Sequence, residues 1–324
     1  MAPVVVVRPL SGYANRLQAI VSSALLAEDL GAELIVCWEE SPVAPVAAAA
    51  VLDPAWCSAH VRSAAEVRDR LGVDPTRIPD YLAVDIEVRT ITLAGLDKGE
   101  QHFMPELRTA LADLPDEGVL VLSAGGKFTL DGDAVLTLDQ ERGFRARRAA
   151  AYARLPLHPD IEDRAAVAAQ HRPFIGLHLR YSDRSTETPW TRAIAPAVRS
   201  CAESEETSSV FVASDTAAQR QRWTQRLQSL GLEPWSADPG DYPRSDPRST
   251  RGALVDWRIL TRAEAMVYFS ASSFAEEAAV ASGRFDESVG LSASAMRTAW
   301  VRAGQYVDAA RTYPRRHGWW GTAV

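Results

Sequence analysis

Six short runs of apolar residues recur along the chain, each continuous rather than alternating with polar residues. Strands that are buried on both faces have this pattern, and such strands belong to parallel sheets that helices cover. The runs are Val4 to Val7, Leu34 to Trp38, Val119 to Ser123, Phe174 to Leu179, Val210 to Ser214 and Met266 to Phe269. Together they predict an α/β fold.

Helical periodicity follows several of these runs. Residues 15–30, 216–230 and 272–281 place apolar side chains at helical spacing, and a glycine lies soon after each stretch. Asp215 stands just before the second stretch, where it is a candidate N-cap or pre-cap residue. The polar segment 236–251 is rich in Pro, Asp, Ser and Arg, which predicts a loop.

The alternation of strand and helix occurs twice, which indicates two domains. A chain of 324 residues is long for one hydrophobic core, since single cores stop growing at roughly 250–300 residues. An Arg-rich helical stretch, residues 140–155, precedes the second set. We predict two Rossmann-like, doubly wound domains, 1–160 and 161–324, that face a cleft. Ligands of such sheets bind at the carboxyl ends of the strands, so we expect the site in that cleft.

Composition excludes several classes of protein. Lys and Arg total 35 against 42 Asp and Glu, and a net charge of -7 argues against a general duplex-DNA binder. Cys37, Cys57 and Cys201 are too far apart in sequence to suggest a disulfide framework or a zinc site. The start MAPVVVVRPL indicates a first strand rather than a signal peptide, and the longest apolar stretch, 42–52, is too short for a membrane span. We expect a cytoplasmic protein, and the heavy use of Ala and Arg suggests a GC-rich bacterial genome.

The loop after the first strand, residues 11–17 (SGYANRL), opens a helix. Backbone N–H groups at a helix N-terminus bind anions, and Gly12 lets a ligand approach closely. Asn15 and Arg16 add side-chain donors. An ordinary strand-to-helix turn with Asn as the cap explains the same residues equally well.

The strand at 174–179 ends in polar residues. His178 and Arg180 alternate on one face there, and Asp183 follows. A buried guanidinium needs a partner, and a phosphate fits because its oxygens match the guanidinium fork. The alternative is a structural ion pair between Arg180 and Asp183.

Two further strand ends carry polar groups. Asp215 follows the run 210–214, where its carboxylate can accept a hydrogen bond from a base or a ribose, although helix capping is nearly as good an explanation. Ser272 and Ser273 open a helix after the run 266–269, so their hydroxyls and the N–H groups beside them form a candidate phosphate site.

The order of these motifs resembles that of fucosyltransferases with two Rossmann domains, the GT-B type, which include nodulation, core α1,6- and protein O-fucosyltransferases. Their central strand end reads His-x-Arg-Arg-x-Asp. His178, Arg180 and Asp183 match it, while Tyr181 replaces the second Arg. Residues 254–273 resemble the family's third motif, an Asp-led helix, a strand and a Ser-rich turn. The resemblance covers about half of the chain and is strongest over 174–281.

The resemblance implies a nucleotide-sugar donor, usually GDP-fucose, held by the second domain, with the first domain on the acceptor side. Arg180 would bind the β-phosphate and stabilise the leaving GDP. The donor-binding residues would be Gly12, Asn15, Arg16, His178, Asp183, Asp215, Ser272 and Ser273, with His178 and Asp215 on the guanosine. Asp256 would support the third motif structurally. The acceptor, whether glycan, peptide or small natural product, is not indicated.

The family inverts the anomeric centre, and we expect transfer without a metal or other cofactor. The chain has one D-x-D triplet, Asp131-Gly132-Asp133, in a Gly-rich turn rather than after a donor-domain strand. An inverting reaction needs a general base near the acceptor hydroxyl. Glu39 and Glu40 follow the second strand and are the candidates, with Asp183 and Glu187 behind them. A solvated acidic loop is the alternative for the first pair.

Four other functions are alternatives to this one. The replacement by Tyr181 suggests a catalytically inactive nucleotide-binding protein of the same fold, or a transferase for a different nucleotide sugar. An oxidoreductase or epimerase would need a G-x-G-x-x-G fingerprint, and an α/β-hydrolase a G-x-S-x-G elbow; the sequence has neither.

Overall fold

The predicted α/β architecture is confirmed: two separate sheets form, and helices cover them. The structure, a computed structural model, describes residues 3–77, 82–85, 89–96, 111–112, 117–129, 138–180, 191–237 and 246–292. Asp183, with Tyr181, Glu187 and the triplet 131–133, lies outside the described residues.

The first sheet has six strands in the order β3-β2-β1-β6-β5-β4. Its strands are β1 Val4–Pro9, β2 Glu33–Cys37, β3 Val61–Arg62, β4 Leu82–Asp85, β5 Thr90–Leu96 and β6 Val119–Ala124. All neighbours are parallel except β4 and β5, which pair antiparallel at one edge. The chain winds outward from β1 to β3 and returns to place β6 on the other side of β1. The strand order therefore reverses between β1 and β6, which is where an α/β sheet offers a ligand site.

The second sheet has five parallel strands in the order β11-β10-β7-β8-β9. Its strands are β7 Ile175–Leu179, β8 Ser209–Ser214, β9 Glu233–Trp235, β10 Ala265–Phe269 and β11 Val289–Leu291. The first strand is again central, and the order reverses between β7 and β10. This is the doubly wound arrangement that the sequence predicts.

Nine α-helices that lie wholly within the described residues connect these strands. They are α1 Tyr13–Leu30, α2 Pro54–His60, α3 Ala64–Leu71, α4 Leu138–Arg154, α5 Pro159–Ala165, α6 Thr191–Ser204, α7 Ala217–Gln228, α8 Pro247–Leu260 and α9 Ser273–Ala281. None of them is long and apolar enough to cross a membrane. The predicted domain boundary after residue 160 falls within α5 and stays a prediction.

One hydrophobic cluster joins the two halves. Val5 and Val7 of β1 belong to it, as do Met266 and Tyr268 of β10, whereas alternate residues of the same strands pack into two separate outer clusters. Helices α1, α4, α5, α8 and α9 contribute to the shared cluster. Each sheet therefore turns one face towards a common helical layer, as expected from the period of two along a strand.

The prediction of a loop over 236–251 is wrong for its last residues. Helix α8 begins at Pro247, and the carboxylate of Asp246 accepts from the backbone N–H groups of Arg248 and Ser249. Proline is well suited to the first helical position because its missing N–H would have no partner there. The polar composition of this first turn hid a helix start.

Five strands, β3, β4, β5, β9 and β11, are not among the predicted runs. They lie at or next to the edges of the sheets, where strands are short or carry polar and proline residues, and β9 reads Glu-Pro-Trp. The predicted runs, in contrast, are the central strands that are buried on both faces.

Candidate active site

His178 is buried near the carboxyl end of β7, one residue before the strand ends. Its ring stacks on Phe274 of α9, with 5.1 Å between the centroids and 29° between the planes. Burial lowers the pKa of His178 to about 4, although the negative charge of Asp215 acts to raise it. His178 is therefore neutral at pH 7, and its Nδ1 atom has no hydrogen-bond partner among the described residues.

Gly176, two residues earlier in β7, allows helix α8 to pack closely against the strand. A Cβ atom there would lie 2.9 Å from Leu260 Cδ2 and 3.1 Å from Met266 Cγ, which is too close for a side chain. The close packing fixes α8 beneath the face of β7 that also carries His178. Gly176 thus positions the strand rather than contacting a ligand.

Arg180 and Asp215 stand at the carboxyl ends of neighbouring parallel strands. Arg180 comes directly after β7, and Asp215 comes directly after β8. Leu179 pairs with Ser214, so the two charged residues follow adjacent positions of the two strands, next to His178 in β7. The charge of Asp215 acts to raise the pKa of His178 and that of Arg180 acts to lower it. Helix α7 has Thr216 at its N-cap, which places Asp215 at the pre-cap position that the sequence also allowed.

The start of α9 has an orphaned hydroxyl. Ser272 is the N-cap residue and is fully buried, yet its Oγ atom makes no cap bond and has no hydrogen-bond partner among the described residues. Ser273 donates from Oγ to Asn15 Oδ1 at 2.8 Å, which joins α9 to α1. A buried hydroxyl without a partner is costly unless a ligand satisfies it.

The start of α1 faces the same region. Gly12 occupies the N-cap position without a side-chain cap, and Ser11 before it adopts a left-handed conformation with φ 68°. Asn15 donates from Nδ2 to Ser11 Oγ at 3.0 Å while it accepts from Ser273. One amide therefore links two helix N-termini, and both have backbone N–H groups that no side chain caps. Such N-termini attract anions.

Arg16 is engaged within the first half of the chain. It is 2% exposed, and it donates to Ser11 O at 3.0 Å, Glu39 O at 2.6 Å and Ser41 Oγ at 3.1 Å. Its guanidinium also lies 4.6 Å from the ring centroid of Trp38. These contacts tie the β1–α1 loop to the segment after β2, so the predicted contact with the donor stays a prediction.

The two candidate bases differ in their surroundings. The Glu39 carboxylate accepts from Arg8 Nε at 2.7 Å, whereas Glu40 is exposed. Both lie on the segment that Arg16 holds next to the β1–α1 loop. They are thus close in the fold to Gly12 and Asn15, and their role as a base stays a prediction.

Asp256, which the resemblance assigns to structural support of the third motif, contacts a residue that bonds the end of β8. It is buried in α8, with 4.0 Å between its Oδ2 atom and Arg220 Nη2, and Arg220 donates to the backbone carbonyl of Ser214 at 2.5 Å. This chain of contacts supports the end of β8, directly before Asp215.

Phe274 and Ser11 belong to this site but were not among the sequence candidates. The signal for Phe274 is an aromatic residue within the Ser-Ser-Phe helix start, and the signal for Ser11 is its place before a glycine at a strand end. Within the described part of the chain, no group of three or more His, Cys, Asp and Glu side chains could hold a metal ion.

Comparison with known proteins identifies the fold. No protein-family model and no curated protein matches the sequence. Among solved structures, a mutant of Arabidopsis thaliana FUT1 in complex with GDP matches with a TM-score of 0.57 and 13% identity, over 87% of this chain and 69% of that one. POFUT1 in complex with GDP matches with a TM-score of 0.50 and 13% identity, over 90% and 98% of the two chains. The chain has the GT-B fold. The predicted fold class is thereby confirmed.

Proposed function

We propose that this protein is a glycosyltransferase that uses a GDP-sugar, with GDP-fucose as the expected donor, and that it inverts the anomeric centre without a metal ion. The observation that carries the proposal is the meeting of two uncapped helix N-termini, α1 and α9, beside the buried His178 and the strand-end Arg180. Both of these structures are complexes with GDP, which supports the choice of nucleotide.

The electrostatics of the site suit a diphosphate leaving group. In the reaction, the acceptor oxygen forms a bond to the anomeric carbon while the bond from that carbon to the β-phosphate oxygen breaks, and GDP leaves with the electron pair. Negative charge grows on the phosphate as the bond breaks. Arg180 and the N–H groups of α1 and α9 would stabilise that charge, the role that a metal ion has in metal-dependent transferases.

The nucleoside would lie over the second sheet. His178 is neutral, and its unpartnered Nδ1 can accept from a ligand N–H or O–H, or donate to a ligand oxygen in the other tautomer. Asp215, on the neighbouring strand end, supplies a carboxylate that suits ribose hydroxyls or a base N–H. The buried hydroxyl of Ser272 would bond a phosphate oxygen.

A general base must take the proton of the acceptor hydroxyl, and we propose Glu40 or Glu39 for it. Glu40 is exposed and free to meet an acceptor, whereas Glu39 must first release Arg8. The acceptor would approach from the first half of the chain, to which both residues belong.

Thermal unfolding with GDP, UDP and ADP, each with and without EDTA, tests the proposal. A nucleotide that binds only the folded state at a hundredfold excess over Kd adds about 2.7 kcal/mol of stability. We expect GDP to raise the Tm most, with no effect of EDTA. A larger shift with UDP would replace the donor, a shift that EDTA abolishes would contradict metal independence, and no shift with any nucleotide would end the proposal.

Transfer itself needs a second measurement. Release of GDP from GDP-fucose, with water as the acceptor, is expected to be slow but detectable. Selective binding of GDP without any release of GDP, in a screen of sugar and peptide acceptors, would favour the inactive nucleotide-binding protein instead. The replacement of the family's second Arg by Tyr181 motivates that second candidate.

A further inference from the structure

Lys127 reaches from the first half of the chain to the candidate phosphate site in the second. It follows β6 in the sequence Gly125-Gly126-Lys127, and β6 ends beside β1, where Leu10 N donates to Ala124 O at 2.7 Å. The lysine thus stands where the strand order of the first sheet reverses. Its side chain is 18% exposed, and its ammonium donates to the carboxylate of Glu276 in the first turn of α9.

A second carboxylate of α9 is neutralised in the same manner. Glu277 is fully buried and accepts from Arg148 Nη1 at 2.9 Å and from the Tyr152 hydroxyl at 2.9 Å, both on α4. Lys127 Nζ lies 3.9 Å from it. Two adjacent carboxylates near the start of α9 are therefore balanced by two cations, and neither cation belongs to α9.

These carboxylates conflict with an anion site at the same helix N-terminus. A glutamate in the first turn stabilises the helix through the macrodipole, but its charge also repels an anion that arrives there. The buried, unpartnered hydroxyl of Ser272 and the missing side-chain cap both indicate that a ligand completes this N-terminus. Cancellation of the negative charge of Glu276 resolves the conflict.

We propose that Lys127 is a positioning residue for the donor, because it holds and neutralises Glu276 and so makes the N-terminus of α9 receptive to the diphosphate. The inference rests on the proposed function, since the anion is the diphosphate of the nucleotide sugar. The inference also means that the N-terminus of α9 can bind the diphosphate only when Lys127, from the first half of the chain, pairs with Glu276 in the second half. Affinity for the diphosphate is then set by an ion pair that bridges them, in addition to the residues that contact the ligand.

Calorimetric titration of GDP into the full-length protein and four variants tests the inference. K127M leaves Glu276 uncompensated, and we expect its Kd for GDP to rise about tenfold, with a smaller rise at high salt because salt screens the repulsion. K127R keeps the charge and should stay within about threefold of the wild type. The double variant K127M/E276Q removes both charges and should recover most of the lost affinity. R147M, which removes the ion pair of Arg147 with Asp29 between α4 and α1, is the matched control and should leave the Kd unchanged.

Each result decides the inference. A Kd for K127M equal to that of the wild type overturns it, and so does a double variant as weak as K127M, because the lysine would then contact the ligand directly. If K127M fails to fold, E276Q alone decides: we expect GDP to bind two- to fivefold tighter, since the freed lysine adds positive charge, and unchanged or weaker binding overturns the inference. If the wild type binds no GDP, the proposed function and this inference both fail. If the wild type binds GDP and the variants do not behave as expected, only the inference fails.

Discussion

The two helix starts that meet at the candidate site use their polar groups in opposite ways. At the start of α1, Arg16 donates to three oxygen atoms and the Asn15 amide is bonded at both its oxygen and its nitrogen. Around the start of α9, His178 Nδ1 and Ser272 Oγ are buried and have no partner among the described residues. A buried polar atom that lacks a partner costs about 1–3 kcal/mol. The polar side chains at the start of α1 are therefore already bonded within the protein, whereas those around the start of α9 have atoms that a ligand could bond.

The largest effect should come from Arg180. R180M removes the cation that would meet the leaving diphosphate, and loss of one such stabilising group costs about 10²–10³-fold in rate. We expect GDP affinity and sugar transfer both to fall, with little change in Tm. Titration with GDP and a transfer assay measure this, and R199M on the exposed face of α6 is the control. If GDP affinity and transfer rate each fell less than threefold, the second half of the chain would not be the main surface that binds the nucleotide.

Arg16 should show the opposite pattern. R16M leaves three oxygen atoms of neighbouring loops without their donor, and we expect the free energy of unfolding to fall by about 3 kcal/mol. GDP affinity of the folded variant should change less than it does for R180M. Urea unfolding and GDP titration of the same sample separate the two effects. A variant of normal stability with strongly impaired GDP binding would instead mean that Arg16 contacts the nucleotide.

His178 should make the protein sensitive to acid. Its pKa is about 4 in the folded state against an ordinary value of 6.5, so between these values the unfolded chain binds a proton that the folded chain does not. The contribution of His178 is present above pH 6.5 and is lost as pH falls towards 4. It amounts to about 3 kcal/mol, at 1.36 kcal/mol per pKa unit.

Urea unfolding of the wild type and H178Q from pH 7.5 to pH 4 checks the sign. We expect the wild type to lose stability more steeply than H178Q over that interval. Parallel curves for the two proteins would mean that the imidazole takes up its proton without unfolding, and that the site is open to water.

The smallest effect should come from two adjacent serines, Ser272 and Ser273. S273A removes the bond to Asn15 and should cost about 1 kcal/mol of stability, because both partners were satisfied. S272A removes a hydroxyl that has no partner to lose, so we expect unchanged or slightly higher stability and weaker GDP binding. Tm and GDP affinity of both variants, each compared with the wild type, measure the difference. Equal changes in Tm and GDP affinity for the two variants would contradict the different roles given to Ser272 and Ser273.

The sequence predicts the central strands and the residues at their ends well, for a physical reason. A strand buried on both faces must be apolar throughout, so the point where polarity returns marks the carboxyl edge, and this locates Arg180 and Asp215. Edge strands such as β9 need not be apolar throughout, so the search for apolar runs does not detect them. The start of α8 is missed because a capped helix start, Asp246 followed by a proline, has the composition of a loop.

The contacts between the two halves cannot be predicted from local sequence. Lys127 and Glu276 are 149 residues apart, and their neighbours Phe128 and Ala275 pack into the same hydrophobic cluster. The stacking of Phe274 on His178 joins a strand and a helix that are also far apart in sequence. Tertiary packing, rather than any local preference, decides which charges and rings meet.

The shared hydrophobic cluster has a consequence for how the molecule can be divided. Val7 and Leu122 of the first sheet and Phe211 and Met266 of the second belong to the same cluster. A gene cut near residue 160 would leave each product with a wide apolar face open to water, and such a face promotes aggregation. We therefore expect neither piece to be recovered in soluble form when it is expressed alone. Co-expression of the two pieces should restore solubility, because each would supply the missing cover of the other.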